Sequence, residues 1–214
     1  MVTSPREPEY VQNTSLAMLK LVVPYPYRLT FTVITTGPES TPSYRQLQPR
    51  ELADCNETDQ DTDPLPSCKV QQQALDVAGA LDMCHKIFPL ADWILLMEDD
   101  FMPCEGALDK LLAVLRSLDP GQTKFARFTQ GGGVVAFPRA NVPLYTQSVR
   151  LHRQTQPCDR VLLLPWSDRP DFVHTTHLFQ HIGLVSTIPD RNSPEYLAAN
   201  SGIRDNSCGA PITV

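Results

Sequence analysis

Hydrophobic residues recur at helical spacing in three parts of the chain and at strand-like spacing in several others. Where apolar residues fall three or four positions apart, an amphipathic helix is predicted. These helices span residues 14–23, 69–87 and 105–118, the first with Asn13 as its N-cap. Short alternating or continuous apolar runs predict strands at residues 28–35, 93–97, 124–129, 134–137 and 161–164.

The run at residues 93–97 (WILLM) is apolar throughout, which is typical of a parallel strand covered on both faces. Strands alternate with helices as far as residue 118, and this order predicts an α/β fold with a mainly parallel sheet flanked by helices. Shorter strands after residue 118 predict a smaller irregular β portion. Residues 37–67 are rich in proline, acids and small polar residues and are expected to form a loop.

Length and composition favour one soluble globular domain. The chain has 214 residues, of which 42% are hydrophobic and 20% charged, and one domain is the simplest division. Its net charge of -6 excludes the basic surface that a nucleic-acid partner requires. No membrane segment and no signal-peptide core are present in this chain, so any anchor for a secretory protein would have to precede it.

Six cysteines occur without a CxxC pair, which argues against a zinc ribbon or a thioredoxin site. Six allow 15 pairings, and Cys55 with Cys68 is the first pair to test because the two bracket an acidic segment. N-glycosylation sequons begin at Asn13 and Asn56. These features favour a secretory compartment.

The acidic triplet Glu98-Asp99-Asp100 directly follows the apolar run. Ligands of open α/β sheets bind beyond the carboxyl ends of the strands. Three adjacent carboxylates repel one another, and a divalent cation removes that repulsion. Carboxylates suit Mn²⁺ or Mg²⁺, which in turn bind diphosphate oxygens. The triplet therefore predicts a metal site, and the alternative is an acidic loop with water as its only partner.

Two further residues are candidates for the same chemistry. His181 is a candidate Mn²⁺ ligand, with a structural histidine as the alternative. Asp159 is a candidate general base that deprotonates a sugar hydroxyl, with a salt bridge to Arg160 or a turn cap as the alternative. The glycines at 131–133 fit either a close approach to a phosphate or sugar or a hairpin turn.

Several motifs, taken in chain order, resemble the catalytic domain of the N-acetylglucosaminyltransferase IV family. The matching segments are Arg6-Glu7 followed by Tyr10, Gln73-x-Leu75-Asp76, Met97-Glu98-Asp99-Asp100, Phe128-Thr129-Gln130, Pro157-Cys158-Asp159 and Phe179-Gln180-His181-Ile182-Gly183. The resemblance covers most of residues 3–188. It places a catalytic domain at residues 1–190, with its first strand and any membrane anchor upstream, and a C-terminal tail at residues 191–214.

The resemblance implies a GT-A type, inverting glycosyltransferase of the N-glycan branching type, which works in the Golgi lumen or another secretory compartment. It implies Mn²⁺ or Mg²⁺, a UDP-sugar donor carrying N-acetylglucosamine, and a glycan or glycoprotein acceptor. The residues that it assigns are Asp100 and His181 as metal ligands, Asp159 as the base, and Arg6, Gln73, Asp76, Glu98 and Asp99 at the nucleotide-sugar.

Three other functions fit parts of the sequence. One is a truncated, non-catalytic GT-A relative that binds a glycan or a partner. Another is a transferase that modifies GPI anchors, although the membrane-spanning hairpin of such enzymes has no counterpart between Gln130 and Pro157. The last is an Mg²⁺-dependent nucleotidyltransferase, which would need a cluster of Lys or Arg residues near the acids.

Overall fold

A computed structural model describes residues 2–3, 8–22, 30, 32–35, 44–47, 51–55, 66–129, 133–161, 170–182 and 207–212. The helices in these residues are α1 (Pro8–Val22), α2 (Cys68–Ile87), α3 (Ala107–Ser117), α4 (Val142–His152) and α5 (Cys158–Val161). The strands are β1 (Val2–Thr3), β2 (Val33–Thr35), β3 (Tyr44–Gln46), β4 (Trp93–Met97), β5 (Phe101–Pro103), β6 (Ala126–Arg127), β7 (Val134–Pro138), β8 (Phe172–Val173) and β9 (Phe179–His181).

The described strands form three sheets. β1, β2 and β3 pair in parallel in that order. The central sheet has the order β4-β7-β6-β8, in which β7 is antiparallel to both β4 and β6, and β6 is parallel to β8. β5 and β9 form an antiparallel pair. The predicted α/β class is confirmed. The expected parallel pairing holds for β1–β3, whereas the central sheet is mixed.

The apolar run of β4 was expected to pair in parallel, and its partner β7 is instead antiparallel. The run is apolar because hydrophobic clusters cover both faces of the strand. Met97 packs in one cluster with Leu108 and Leu111 of α3. Ile94 packs in the other with Leu81 of α2. Burial on both faces produces the same sequence pattern for either strand direction, so the pattern alone does not determine the pairing.

All three predicted helices are present, each with at least one shifted end. α2 begins at Cys68, where the Ser67 hydroxyl accepts a hydrogen bond from the Val70 N–H at 3.4 Å. α1 begins at Pro8, so Asn13 lies within the helix, and its prediction as the N-cap was wrong. Proline suits a first helical position because its φ is already helical and its missing N–H has no partner there.

Several elements differ from the predictions. β3 lies inside the segment expected to be a loop. α4 was not predicted, although its buried Val142, Tyr145 and Val149 have helical spacing. Val161 was expected to begin a strand and instead ends α5, where it is buried; residues 162–169 lie outside the described part.

Two disulfides connect distant parts of the chain. Cys55 is bonded to Cys68, as predicted, and Cys104 is bonded to Cys208. The second bond attaches residues 207–212 beside the segment that precedes β9, where the Ile212 N–H donates to Thr175 O at 3.0 Å. Within the described residues, no helix has the length and apolar character needed to cross a membrane.

Candidate functional site

The acidic triplet occupies the turn that joins β4 to β5. The Glu98 N–H donates to Gly133 O at 3.1 Å and so extends the pairing of β4 by one residue. The chain then turns at Asp99 and Asp100 and enters β5. Asp99 and Asp100 are buried, with exposures of 2% and 4%, and Glu98 is half-buried. Two acids are therefore held within the protein at the carboxyl end of a core strand.

The pairing of β5 with β9 brings His181 to this turn. Phe101 lies opposite His181 in the register of the pair, and the Ile182 N–H donates to Asp100 O at 2.8 Å. His181 Nε2 lies 3.2 Å from Asp100 Oδ2. The two residues predicted as metal ligands, 81 positions apart in the chain, are thus in direct contact.

The contact between Asp100 and His181 fits a shared divalent cation. Donor atoms that bind one octahedral ion at right angles, each at about 2.1 Å, lie roughly 3.0 Å apart. A carboxylate with an imidazole suits Mn²⁺ better than Mg²⁺, which strongly prefers oxygen. Among the described residues, no group of three or more His, Cys, Asp or Glu side chains is placed to hold a metal ion. Within the described residues, a shared ion would have Asp100 and His181 as its ligands, with the other positions open to water and phosphate oxygens.

The remaining predicted site residues lie in several places. Gln73 and Asp76 are on α2, Gln73 half-buried and Asp76 buried. Asp76 Oδ1 accepts a hydrogen bond from Gln72 Nε2 at 3.0 Å. Asp159 is the second residue of α5, but its side chain lies outside what the structure describes, and so does the whole of Arg6. Their roles stay predictions.

Thr14 of α1 supports the acidic turn and was not predicted as a site residue. Its side chain is fully buried, and its hydroxyl donates to Asp99 O at 2.7 Å. The bond joins residues 85 apart in sequence. The sequence carries no signal for it, because a threonine inside an amphipathic helix has many ordinary roles.

Gln72, the neighbour of Gln73, connects α2 to residues 51–55. Its Nε2 donates to Glu51 O and its Oε1 accepts from the Ala53 N–H, both at 2.9 Å. Since Gln72 also donates to Asp76, one amide holds a predicted nucleotide-site residue and a surface segment together.

An ion-pair network joins α4 to α2 and to Glu51. Arg150 contacts Glu51 Oε1 at 2.6 Å and Asp82 Oδ2 at 2.8 Å. The hydrogen bond from Arg150 holds the pKa of Glu51 below its usual range, and the bond to Glu51 raises the pKa of Arg150 further. The network links α2, α4 and residues 51–55 and shares no residue with the acidic turn.

Comparison with known proteins shows a likeness in fold. No protein-family model matches the chain. No curated protein sequence matches it either. A solved structure, that of a glycosyltransferase involved in the glycosylation of the major capsid of PBCV-1, superimposes with a TM-score of 0.55 at 13% identity. The match covers 86% of this chain and 93% of that one. The chain is therefore similar in fold to a glycosyltransferase of known structure.

Proposed function

We propose that this chain is a metal-dependent glycosyltransferase that moves a sugar from a UDP-sugar to a glycan acceptor. The observation that carries the proposal is the 3.2 Å contact between Asp100 Oδ2 and His181 Nε2 beyond β4. A carboxylate and an imidazole at this end of a strand are suited to holding a divalent cation against a diphosphate. The likeness in fold to a glycosyltransferase supports the same class of reaction.

Asp100 and His181 would hold the ion, and Glu98 and Asp99 would lie toward the nucleotide-sugar. When bound, the metal would neutralise the charge that develops on the departing UDP. Burial of Asp99 and Asp100 would strengthen the attraction between these carboxylates and the metal, because charges attract more strongly where water is excluded. The hydrogen bond from Thr14 to Asp99 O keeps the turn in place.

Asp159 would act as the general base. Its carboxylate would take the proton of the acceptor hydroxyl as the hydroxyl oxygen attacks the anomeric carbon and the bond to UDP breaks. A single displacement of this kind inverts the anomeric centre and needs no nucleophile from the enzyme. The assignment rests on the sequence motif around Asp159.

N-acetylglucosamine is the proposed sugar and a branched N-glycan the proposed acceptor, on the strength of the sequence resemblance. The proposed location is the Golgi lumen or another secretory compartment. The disulfides Cys55–Cys68 and Cys104–Cys208 support this location, because disulfides persist in oxidising compartments and are rare in the cytosol.

Calorimetry of UDP binding with and without Mn²⁺ tests the metal site. Binding should require the metal and should be lost in Asp100→Asn and in His181→Ala. Asp92→Asn is a matched control, because it removes an exposed carboxylate at the opposite end of β4. UDP binding that is unaffected by Mn²⁺, or unchanged in Asp100→Asn, would refute the proposed site.

Sugar transfer to a panel of glycans tests the proposed base. Asp159→Asn should retain UDP affinity and lose transfer by roughly 100- to 10,000-fold, the range typical of a missing general base. Equal transfer by the variant and the parent would exclude Asp159 from this role. UDP binding with Mn²⁺ but no transfer to any glycan of the panel would favour a non-catalytic binding module.

A further inference from the structure

Gly133 leaves space for an aromatic ring beside the acidic turn. A Cβ atom at this position would lie 2.2 Å from Phe101 Cε2 and 2.3 Å from Phe101 Cζ. Such contacts are far shorter than the 3.5–4.0 Å at which carbon atoms pack. The ring therefore occupies the place that any other side chain at residue 133 would take.

Contact with the ring, and not backbone conformation, is what requires glycine here. The described glycines with positive φ are Gly106 and Gly209. The backbone of Gly133 is therefore open to an L-amino acid, unlike a left-handed turn that excludes side chains by itself. Replacing Gly133 by alanine acts through the displacement of Phe101.

Phe101 also contacts the imidazole of His181. The two residues face each other across the pairing of β5 with β9, and their ring centroids are 5.0 Å apart with an interplanar angle of 50°. Phe101 is only 4% exposed, so the ring has little room to move away from its neighbours. Directly opposed aromatic side chains of this kind restrain each other's orientation.

We propose that Phe101 is a positioning residue, whose ring is held beside Gly133 and keeps the imidazole of His181 directed at Asp100. The expected effect on metal binding rests on the proposed function, because it assumes that Asp100 and His181 share an ion. An imidazole turned away from Asp100 cannot share an ion with it. Three distant segments thus act together: residue 133 provides the space, Phe101 fills it, and His181 is oriented by Phe101. The acidic turn alone supplies only the carboxylate.

Two variants and their combination test this proposal. Gly133→Ala should push the Phe101 ring away, and Phe101→Leu should remove the Cε2 and Cζ atoms with which the new methyl group collides. Gly121→Ala is the control, because the nearest atom to its added Cβ is the movable Asp119 Oδ1 at 3.1 Å. Thermal melting shows that each variant is folded before it is measured.

NMR of the metal-free protein at one fixed pH reports the placement of His181. Ring protons of His181, assigned by their loss in His181→Ala, should shift in both Gly133→Ala and Phe101→Leu because the neighbouring aromatic ring has moved or gone. Their nuclear Overhauser contacts with Asp100 should weaken in the same variants, because the imidazole is no longer directed at that residue. In Gly121→Ala they should stay in place. Unmoved His181 resonances in folded Gly133→Ala would overturn the proposal.

Mn²⁺ titration then measures the consequence. Groups that orient a metal ligand typically contribute 10- to 100-fold in metal affinity, so Gly133→Ala should weaken Mn²⁺ binding by about that factor. In the Phe101→Leu background the same alanine should have little further effect, because the collision is absent. An undiminished effect of Gly133→Ala with leucine at 101 would overturn the proposal.

The two readouts separate this inference from the proposed function. If the unmodified protein binds UDP without any need for Mn²⁺, the proposed function is wrong. The resonances of His181 in the metal-free protein still decide whether Phe101 sets the position of the imidazole.

Discussion

Replacing Cys104 and Cys208 together by serine should destabilise the protein more than replacing Cys55 and Cys68 together. The two disulfides differ mainly in the length of chain that they close. Cys104 and Cys208 are 104 positions apart, whereas Cys55 and Cys68 are 13 apart. A crosslink stabilises the folded protein by restricting the unfolded chain, and the restriction grows with loop length.

The loop-closure relation gives the expected size of each effect. For a separation of 104 residues it predicts a loss of about 4.7 kcal/mol in the free energy of unfolding, and for 13 residues about 2.9 kcal/mol. The difference of roughly 1.8 kcal/mol corresponds to about a 20-fold change in the unfolding equilibrium.

Loss of the Cys104–Cys208 bond should also loosen the candidate site. Cys104 directly follows β5, and its N–H donates to Leu178 O at 3.0 Å, just before β9 begins. The disulfide bonds Cys104 to Cys208, and the Gly209 N–H donates to His177 O at 3.1 Å, so the bond clamps the end of the β5–β9 pair that lies away from Asp100 and His181. Metal-dependent UDP affinity should fall in the Cys104→Ser/Cys208→Ser variant.

Urea unfolding of both double variants at one pH and temperature measures these losses. The slope of free energy against urea should rise in each variant, because its unfolded chain is less compact. An equal loss in the two variants, or a greater loss on removing Cys55–Cys68, would refute the loop-length argument. Unchanged UDP affinity without Cys104–Cys208 would show that hydrogen bonds alone hold β5 to β9.

Three further outcomes are expected. Thr14→Val should cost about 1–3 kcal/mol in urea unfolding, because buried Asp99 O loses its 2.7 Å hydrogen bond; a loss below about 0.5 kcal/mol would contradict this. Because Arg150 holds the pKa of Glu51 below 4.5, stability from the pair should be complete above that pH and lost as pH falls through the lowered pKa. Glu51→Gln should remove this pH dependence of the unfolding free energy. The change should be no more than about 1 kcal/mol, because Glu51 is 45% exposed. Mn²⁺ at about 100 times its dissociation constant should add about 2.7 kcal/mol to the unfolding free energy, and Asp100→Asn should abolish this gain in thermal scans with and without chelator.

Local sequence patterning was sufficient to predict the ends of the elements whose burial is continuous along the chain. β4 was predicted with its observed ends because it is a continuous apolar run, and α2 was predicted within one residue because its apolar residues repeat at the helical period. The same pattern did not reveal the direction of pairing between β4 and β7, since both faces of β4 are covered whichever way its neighbour runs. α1 was placed too late because Pro8 was not taken as a helix start.

The sequence by itself determined which residue types are available at the candidate site. It identified the acids after β4 and the histidine in the later motif as candidates, because the type of each residue and its position along the chain are visible in the sequence. The tertiary structure alone decided that Asp100 and His181 meet, since the register of β5 against β9 joins segments 81 residues apart. It also decided that Thr14 supports the turn and that Phe101 fits beside Gly133. Such contacts depend on how whole elements dock, and a linear sequence carries no distance between them.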